Sequence, residues 1–263
     1  MSLILTHLSE FGIIHASDSN ITSGDNTPAG HGKKTFRVKY LNAGLTVAGA
    51  FSVGGKPMDE WMRIFIARQQ AHSVKPLAAF ASALRTDLEA EMNTLEKKNG
   101  SMVHIAGYVE KSGKQHPEFY FVRNIHQMTA EGWYEDLKDQ FLVSEDFWTR
   151  DCPQHNLMAA FKGKYQLYVN GYPPGRIAYV GVTHQLTDFF SKVWAQPNWK
   201  FRSPRSLADH VLFVKLYMIM IGTLFQVSDY PAPYIGGVTQ ICAIPCPTNV
   251  ETTSLIAGVA NHV

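Results

Sequence analysis

The chain has few cysteines, little excess charge and no very long apolar run, and each shortage excludes a class of protein. Its 263 residues include three cysteines, Cys152, Cys242 and Cys246, which form no CxxC pair. This argues against a disulfide scaffold and a structural zinc site, and for a reducing compartment. Lys plus Arg number 24 and Asp plus Glu number 22, giving a formal net charge of +2. We therefore expect no nucleic-acid or acidic-membrane partner.

Membrane insertion and secretion are not predicted either. The most apolar run, residues 211–225, contains Lys215. It is shorter than the roughly 20 apolar residues that cross a bilayer, so we interpret it as a buried core helix. The first ten residues have neither a basic region nor a long apolar stretch, which predicts no signal peptide. We expect a cytoplasmic protein.

Hydrophobic residues make up 45% of the chain and charged residues 17%, enough apolar surface for a folded core. Periodicity predicts strands at 2–8, 13–17, 34–40, 45–51, 102–110, 118–123, 165–169, 176–182 and 238–244. It predicts helices after Pro57 and Pro76 and over 129–150, 187–194 and 206–225, the last being the longest. Helical spacing is followed in the first helix by Trp61, Ile64, Phe65 and Arg68, and one stripe of the second helix holds Leu77, Phe80, Ala81, Leu84 and Leu88. The order favours a mixed α/β chain in which helices cover two sheets.

Ser2 is the first residue with potential chemistry. If Met1 is removed, Ser2 carries a hydroxyl nucleophile and a free α-amine, whose pKa of about 7.7–8.0 suits a base at neutral pH. Serine after the initiator methionine is also a very common start. Each of the next candidates, taken alone, also has an ordinary structural explanation. Asp18 fits a turn carboxylate, Lys33–Lys34 a solvated basic pair, and Gly49 a strand glycine at a bulge.

Taken together, these residues form an ordered pattern. Residues 12–24 read GIIHASDSNITSG, the lysine pair follows, and residues 47–50 read VAGA. This series resembles the start of a proteasome-type β subunit, an N-terminal-nucleophile hydrolase, of the bacterial proteasome-homologue type. The resemblance places the family's nucleophile on Ser2, its aspartate on Asp18, its lysine on Lys34, its Thr-x-Gly on Thr22 and Gly24, and its oxyanion glycine on Gly49. Residues 104–122 and Gly236–Gly237 resemble the family's central hairpin and late Gly-Gly strand.

The resemblance implies a single domain over 1–263, built as a four-layer αββα sandwich with two central, mainly antiparallel sheets. It implies an N-terminal-serine peptidase that becomes active on removal of Met1 and needs no cofactor or metal. It also implies a homo-oligomeric ring with enclosed sites, a peptide or unfolded-protein substrate, and an ATP-dependent unfoldase as partner.

Each matched residue then has an implied role. Ser2 Oγ attacks the amide carbonyl while its own amine carries the proton. The positive charge of Lys34 lowers the pKa of the hydroxyl, and Asp18 keeps Lys34 charged and oriented. The Gly49 N–H donates to the oxyanion, and the Thr22 backbone pairs with an extended substrate.

Some positions depart from the family pattern. The nucleophile is serine rather than threonine, and Ala232 and Ile235 replace the acid and hydroxyl residues that support the amine, with Ser228 and Asp229 offset nearby. Residues 140–200 match poorly and are expected to be an insertion, and 245–263 a polar tail. Two alternatives stay open: a transpeptidase or other amide-transfer enzyme on the same scaffold, and an inactive ring or scaffold protein, which a retained Met1 would favour.

Overall fold

The structure of the protein is a computed structural model. It describes residues 2–22, 27–111, 114–128, 134–145, 165–171, 173–196, 198, 204–229 and 234–247. The strands in these ranges are β1 (Leu3–Ser9), β2 (Gly12–Ser17), β3 (Asn20–Thr22), β4 (Pro28–His31), β5 (Thr35–Val38), β6 (Ala43–Gly49), β7 (Ser52–Val53), β8 (Lys56–Pro57), β9 (Ser101–Lys111), β10 (Lys114–Met128), β11 (Tyr134–Glu145), β12 (Tyr165–Gly171) and β13 (Gln240–Pro245). The helices are α1 (Met58–Ala71), α2 (Leu77–Glu91), α3 (Thr94–Lys98), α4 (Pro173–Trp194) and α5 (Leu207–Gln226), with a 3₁₀ turn at Lys39–Leu41.

Two antiparallel sheets carry most of the strands, so the chain is a mixed α/β protein, as predicted. The first sheet has the order β12–β1–β2–β13. Its β1–β2 hairpin is the predicted one, with Ser9 opposite Gly12 at the turn. All seven residues of β1 are buried. A strand that is apolar on both faces must be covered on both, which suits its central place in this sheet.

The second sheet has the order β11–β10–β9–β6–β5. The predicted β9–β10 hairpin is confirmed, but the prediction of a helix over 129–150 is wrong in the described part, because Tyr134–Glu145 is strand β11. It pairs with the long neighbour β10. Phe141 is 1% exposed and Leu142 is 46% exposed, the alternation that a strand produces. Pairing with the open edge of β10, the strand just before it in the chain, therefore decides the conformation here.

Apolar side chains form three clusters that connect these elements. In the first, α1 and α2 pack on the second sheet, for example Phe65 and Phe80 with Leu45 and Ile105. The α2 stripe is buried as predicted. In α1, the buried set is instead Met58, Trp61, Met62, Phe65 and Gln69, since the helix turns Ile64 and Arg68 to solvent.

The other two clusters involve the first sheet. One contains α4, α5, β1 and β2, with Tyr179 fully buried among them. The other joins strands of both sheets, including Leu8 of β1 and Phe119 of β10. The two sheets and their helices thus bury apolar side chains in these three clusters, which is where most of the stabilising free energy of burial arises.

Helix α4 corrects a second prediction. Residues 176–182 were expected to be a strand paired with 165–169, but they lie inside Pro173–Trp194. Pro173 and Pro174 occupy the first helical turn, where proline is well tolerated. Ala178, Val182 and Leu186 then pack beside Tyr179 on the first sheet, at helical spacing. At 22 residues α4 is also longer than α5, which has 20.

Helix α5 begins where the sequence predicts. The Ser206 hydroxyl accepts a hydrogen bond from Asp209 N at 3.1 Å and caps the helix. Among the described helices, α5 is long and apolar enough to span a membrane by length and composition, with a mean hydropathy of 1.6. Val214, Met218 and Ile221 of this helix are buried in the cluster with β1 and β2, as expected for a core helix.

Candidate active site

A cleft of about 390 Å³ brings four of the predicted site residues together. Ser2, Thr22, Lys34 and Gly49 all line it. They arrive from separate elements, namely the residue before β1, the end of β3, the residue before β5 and the end of β6. The fifth, Asp18, lies directly behind Lys34 and contacts it. Gly24, the remaining predicted residue, lies outside the described residues.

A buried ion pair forms the back of the cleft. Lys34 Nζ donates to Asp18 Oδ2 at 3.0 Å and also to the carbonyl of Asn20. Asn20 N donates to the same carboxylate oxygen at 3.1 Å. Asp18 is 2% exposed and Lys34 is 7% exposed. Because each charge has an opposite charge and further hydrogen bonds, the cost of burying both is partly offset.

Burial dominates the electrostatics of this pair. It raises the pKa of the Asp18 carboxyl, and the nearby Lys34 charge and the Leu3 N–H offset this only in part. Burial likewise lowers the pKa of the Lys34 amine, against the opposing effect of Asp18. Lys34 therefore gives up its proton more readily than an exposed lysine does, which is the usual direction for a lysine in a functional site.

Asp18 also fixes the start of the first strand. Leu3 N donates to Asp18 Oδ1 at 2.8 Å, and Asp18 N donates to the Leu3 carbonyl at 3.3 Å. Ser2, one residue earlier, is 5% exposed. The carboxylate that holds Lys34 thus holds the backbone next to Ser2, so the lysine and the serine are positioned by one group.

Gly49 has a structural requirement that only glycine satisfies. Its φ is +111°, and a Cβ there would collide with the carbonyl oxygen of Gly100, the residue just before β9. Gly49 is exposed, and it lines the cleft that Ser2 also lines. Its backbone is therefore open to a ligand at a place where no side chain intervenes.

Gln240 of β13 belongs to the site but was not predicted. Its Oε1 accepts hydrogen bonds from Lys34 N at 2.7 Å and Thr35 N at 3.2 Å. Its Nε2 donates to the Gly32 carbonyl at 2.7 Å. One side chain therefore clamps the backbone on both sides of Lys33. The sequence contains no local signal for this contact, since Gln240 and Lys34 are 206 positions apart.

The Gly236–Gly237 turn supports the segment that leads into β3, which lines the cleft through Asn20. Ser19 N and Asn20 N both donate to the Gly236 carbonyl, at 3.1 and 3.3 Å. At Gly237, φ is +71° and a Cβ would collide with Ser19 Oγ. The sequence predicted that this Gly-Gly pair opens the last strand; β13 begins three residues later, and the turn itself holds β3 in place.

The positions at which the sequence departs from the family's amine-supporting pattern are not at the cleft in the described part of the chain. Ser228 Oγ donates to the Phe225 carbonyl at 2.8 Å and finishes α5, and Asp229 is exposed. Ile235 is fully buried in the apolar cluster with α5. Ala232 lies outside the described residues. None of the three described residues lines the cleft, so none of them is placed to support the α-amine of Ser2.

Comparisons add no family assignment. No model of a known protein family matches the chain, and no curated protein matches it at a significant level. In the described part of the chain, no group of three or more His, Cys, Asp or Glu side chains could hold a metal ion. Cys242 and Cys246 are free thiols, and Cys152 lies outside the described residues.

Proposed function

We propose that the protein is an N-terminal-serine hydrolase of the proteasome type, which cleaves peptide amide bonds after removal of Met1. The observation that carries the proposal is the convergence of Ser2, Lys34 and Gly49 on one cleft, with Asp18 behind Lys34. A cleft of this volume is large enough for a peptide side chain and its backbone.

The proposal includes the four-layer αββα sandwich of these hydrolases. Two features support it: α1 and α2 pack on one sheet and α4 and α5 on the other, and an apolar cluster joins strands of the two sheets. The proposed domain covers the whole chain, with 140–200 as an elaboration and 245–263 as a tail.

The proposed reaction needs only groups of this chain. Ser2 Oγ attacks the carbonyl carbon while the Ser2 α-amine accepts the hydroxyl proton. The amine returns that proton to the leaving nitrogen as the C–N bond breaks, leaving an ester on Ser2. Water, deprotonated by the same amine, then hydrolyses the ester and restores the hydroxyl.

Two neighbours lower the barrier in this scheme. The Lys34 charge stabilises the developing alkoxide, and Asp18 keeps the ammonium in place. The Gly49 N–H donates to the oxyanion, a contact worth about 3–4 kcal/mol in comparable sites. Thr22, on the β3 wall, would contact an extended substrate.

The same proposal extends to assembly and location. We infer a homo-oligomeric ring that encloses the clefts, peptide or unfolded-protein substrates, an ATP-dependent unfoldase as partner, and a place in the cytoplasm. A second candidate, an inactive ring or scaffold protein, is favoured by one observation: Ser228, Asp229 and Ile235 do not reach the cleft to support the amine.

Intact mass spectrometry tests the proposal, on untagged protein before and after treatment with a peptide epoxyketone. We expect loss of Met1 and one adduct on Ser2. Ser2→Ala and Lys34→Met should abolish the adduct, whereas Ser191→Ala and Lys98→Met, at exposed positions, should not. Circular dichroism of each variant separates lost chemistry from lost folding.

The remaining outcomes separate the candidates. Retained Met1 with no adduct would reject the hydrolase proposal and favour the inactive ring or scaffold protein. An acyl-enzyme formed from a peptide ester and captured by an added amine, rather than by water, would favour the amide-transfer enzyme.

A further inference from the structure

Two basic side chains stand on the cleft beside the proposed nucleophile. His31, at the end of β4, and Lys33, just before β5, both line the cleft and are exposed. Lys34 is also there, but its Nζ already donates to Asp18 and Asn20, and the proposed mechanism uses it at Ser2. Lys33 Nζ lies 5.4 Å above the Phe36 ring, and in the described part of the chain it forms no salt bridge. Its charge is therefore available to a ligand.

His31 is held in place by Ser19, which is itself 3% exposed. Ser19 Oγ lies 3.2 Å from His31 Nδ1 and accepts a hydrogen bond from Val238 N at 2.8 Å. Ser19 thus anchors the His31 ring through Nδ1. In the tautomer that accepts the hydroxyl proton at Nδ1, and in the imidazolium, Nε2 carries a hydrogen that a ligand carboxylate can accept.

One carboxylate also lines the cleft, but it is engaged elsewhere. Asp59, in the first turn of α1, accepts from Glu60 N at 2.9 Å through Oδ1. Its Oδ2 lies 3.5 Å from Arg63 Nη2. Because Asp59 faces its own helix and has its own cation, it does not cancel the charge of Lys33.

We propose that this cleft selects a substrate residue with a carboxylate side chain, glutamate or aspartate, through Lys33 and His31. The inference rests on the proposed function and names its substrate class. Val47, Phe51 and Met58 supply an apolar wall for the methylene stem of the side chain. A charge-assisted contact with Lys33, together with the His31 donor, should favour glutamate over glutamine by about tenfold.

Fluorescence anisotropy tests this without requiring catalysis. The protein is the Ser2→Ala variant, and the probes are fluorescein-labelled pentapeptides with amidated C-termini, Ala-Ala-Glu-Ala-Ala and Ala-Ala-Gln-Ala-Ala. We expect the glutamate peptide to bind about tenfold more tightly, with a preference that shrinks as salt increases. Lys33→Gln should remove most of the preference and His31→Leu part of it, whereas Lys98→Gln, an exposed position on α3, should leave it intact.

The other results would overturn the inference. Equal affinities, a preference that survives both substitutions, or no measurable binding of the glutamate peptide would each do so. Tighter binding of a glutamine peptide with a free C-terminus would assign the charge site to a terminal carboxylate instead. An epoxyketone adduct on Ser2 combined with any of these results would leave the hydrolase proposal standing and reject only its acidic specificity.

Discussion

At the scale of single residues, the Asp18–Lys34 pair determines how the cleft responds to substitution. Both charges are buried, and each has the other as its main compensation. Asp18 additionally binds Leu3 N, so its carboxylate is part of the backbone framework as well as of the charge pair. Removing one partner therefore leaves the other as an uncompensated charge in a region of low dielectric constant.

Asp18→Asn should lower the free energy of unfolding by about 3–5 kcal/mol, because Lys34 is left buried without a countercharge. Lys34→Met should cost a similar amount, and the double variant should cost clearly less than the sum. Urea unfolding followed by circular dichroism measures all three. The partly exposed α2 pair Arg85–Glu89 provides the control, since Arg85→Met should change stability by less than about 1 kcal/mol. Strictly additive losses for Asp18 and Lys34 would contradict a coupled buried pair.

At the scale of elements, local sequence patterns determined the conformation of some segments, and pairing or packing partners determined that of others. The α2 stripe and the β1–β2 and β9–β10 hairpins follow from periodicity and short turns, and these predictions are confirmed. The helix predicted at 187–194 is confirmed as part of α4. β11 and residues 176–182 of α4 were mispredicted, because β10 and the first sheet, respectively, supply the partners that select their conformation. Propensity over a dozen residues is too weak to outweigh such tertiary contacts.

The strand assignment of β11 has a measurable consequence. Phe141→Ala should lower the free energy of unfolding by about 3–5 kcal/mol, since it empties a fully buried site. Leu142→Ala, at the next and half-exposed position, should cost less than about 1 kcal/mol. Chemical denaturation of both variants gives the comparison. Similar losses at the two positions would be inconsistent with a strand that alternates between core and solvent.

The candidate site shows the same division between local and distant information. Ser2, Asp18, Lys34 and Gly49 were predicted because they lie in order within the first fifty residues, where the resemblance could be read position by position. Gln240 was not predicted, because its role depends on β13 pairing with β2 and so passing beside the segment before β5. No pattern in the neighbouring sequence marks a side chain whose hydrogen bonds are made to a segment 206 residues earlier.

At the scale of the whole molecule, a polar network crosses the interior between the two sheets. Thr6 Oγ1 lies 2.9 Å from His15 Nδ1 and 3.0 Å from His104 Nδ1. His104 Nε2 lies 2.8 Å from Asn170 Oδ1 and so donates to it. The consistent arrangement has both rings neutral: His15 donates to Thr6, and Thr6 donates to His104.

Acid should therefore destabilise the protein. Burial lowers the pKa of His15 to about 3 and of His104 to about 4, well below the unfolded value near 6.5. Below that unfolded value the unfolded chain binds more protons than the folded protein does. Stability therefore decreases as the pH is lowered, until the folded pKa is reached. The expected slope is about 1.4 kcal/mol per pH unit for each such histidine.

Urea unfolding at a series of pH values measures this slope. His104→Gln should reduce this slope by about 1.4 kcal/mol per pH unit, the contribution of one proton. His184→Gln, at an exposed position on α4, should leave the slope unchanged. Because His7 and His210 are buried as well and their pKa values are also lowered, part of the slope should persist in His104→Gln. A slope identical to that of the parent would show that His104 does not contribute.

The position of Gln240 near the end of the fold also determines when the cleft can form during synthesis. The cleft is assembled from β1 at one end of the chain and β13 at the other, and the backbone around Lys34 is held by a residue 206 positions later. During synthesis the serine and lysine leave the ribosome early, long before their clamp is made. Under the proposed hydrolase function, a nascent chain carries these groups without the geometry that would make them reactive. Cleavage of neighbouring newly made polypeptides would then begin only after the last strand has joined the sheet.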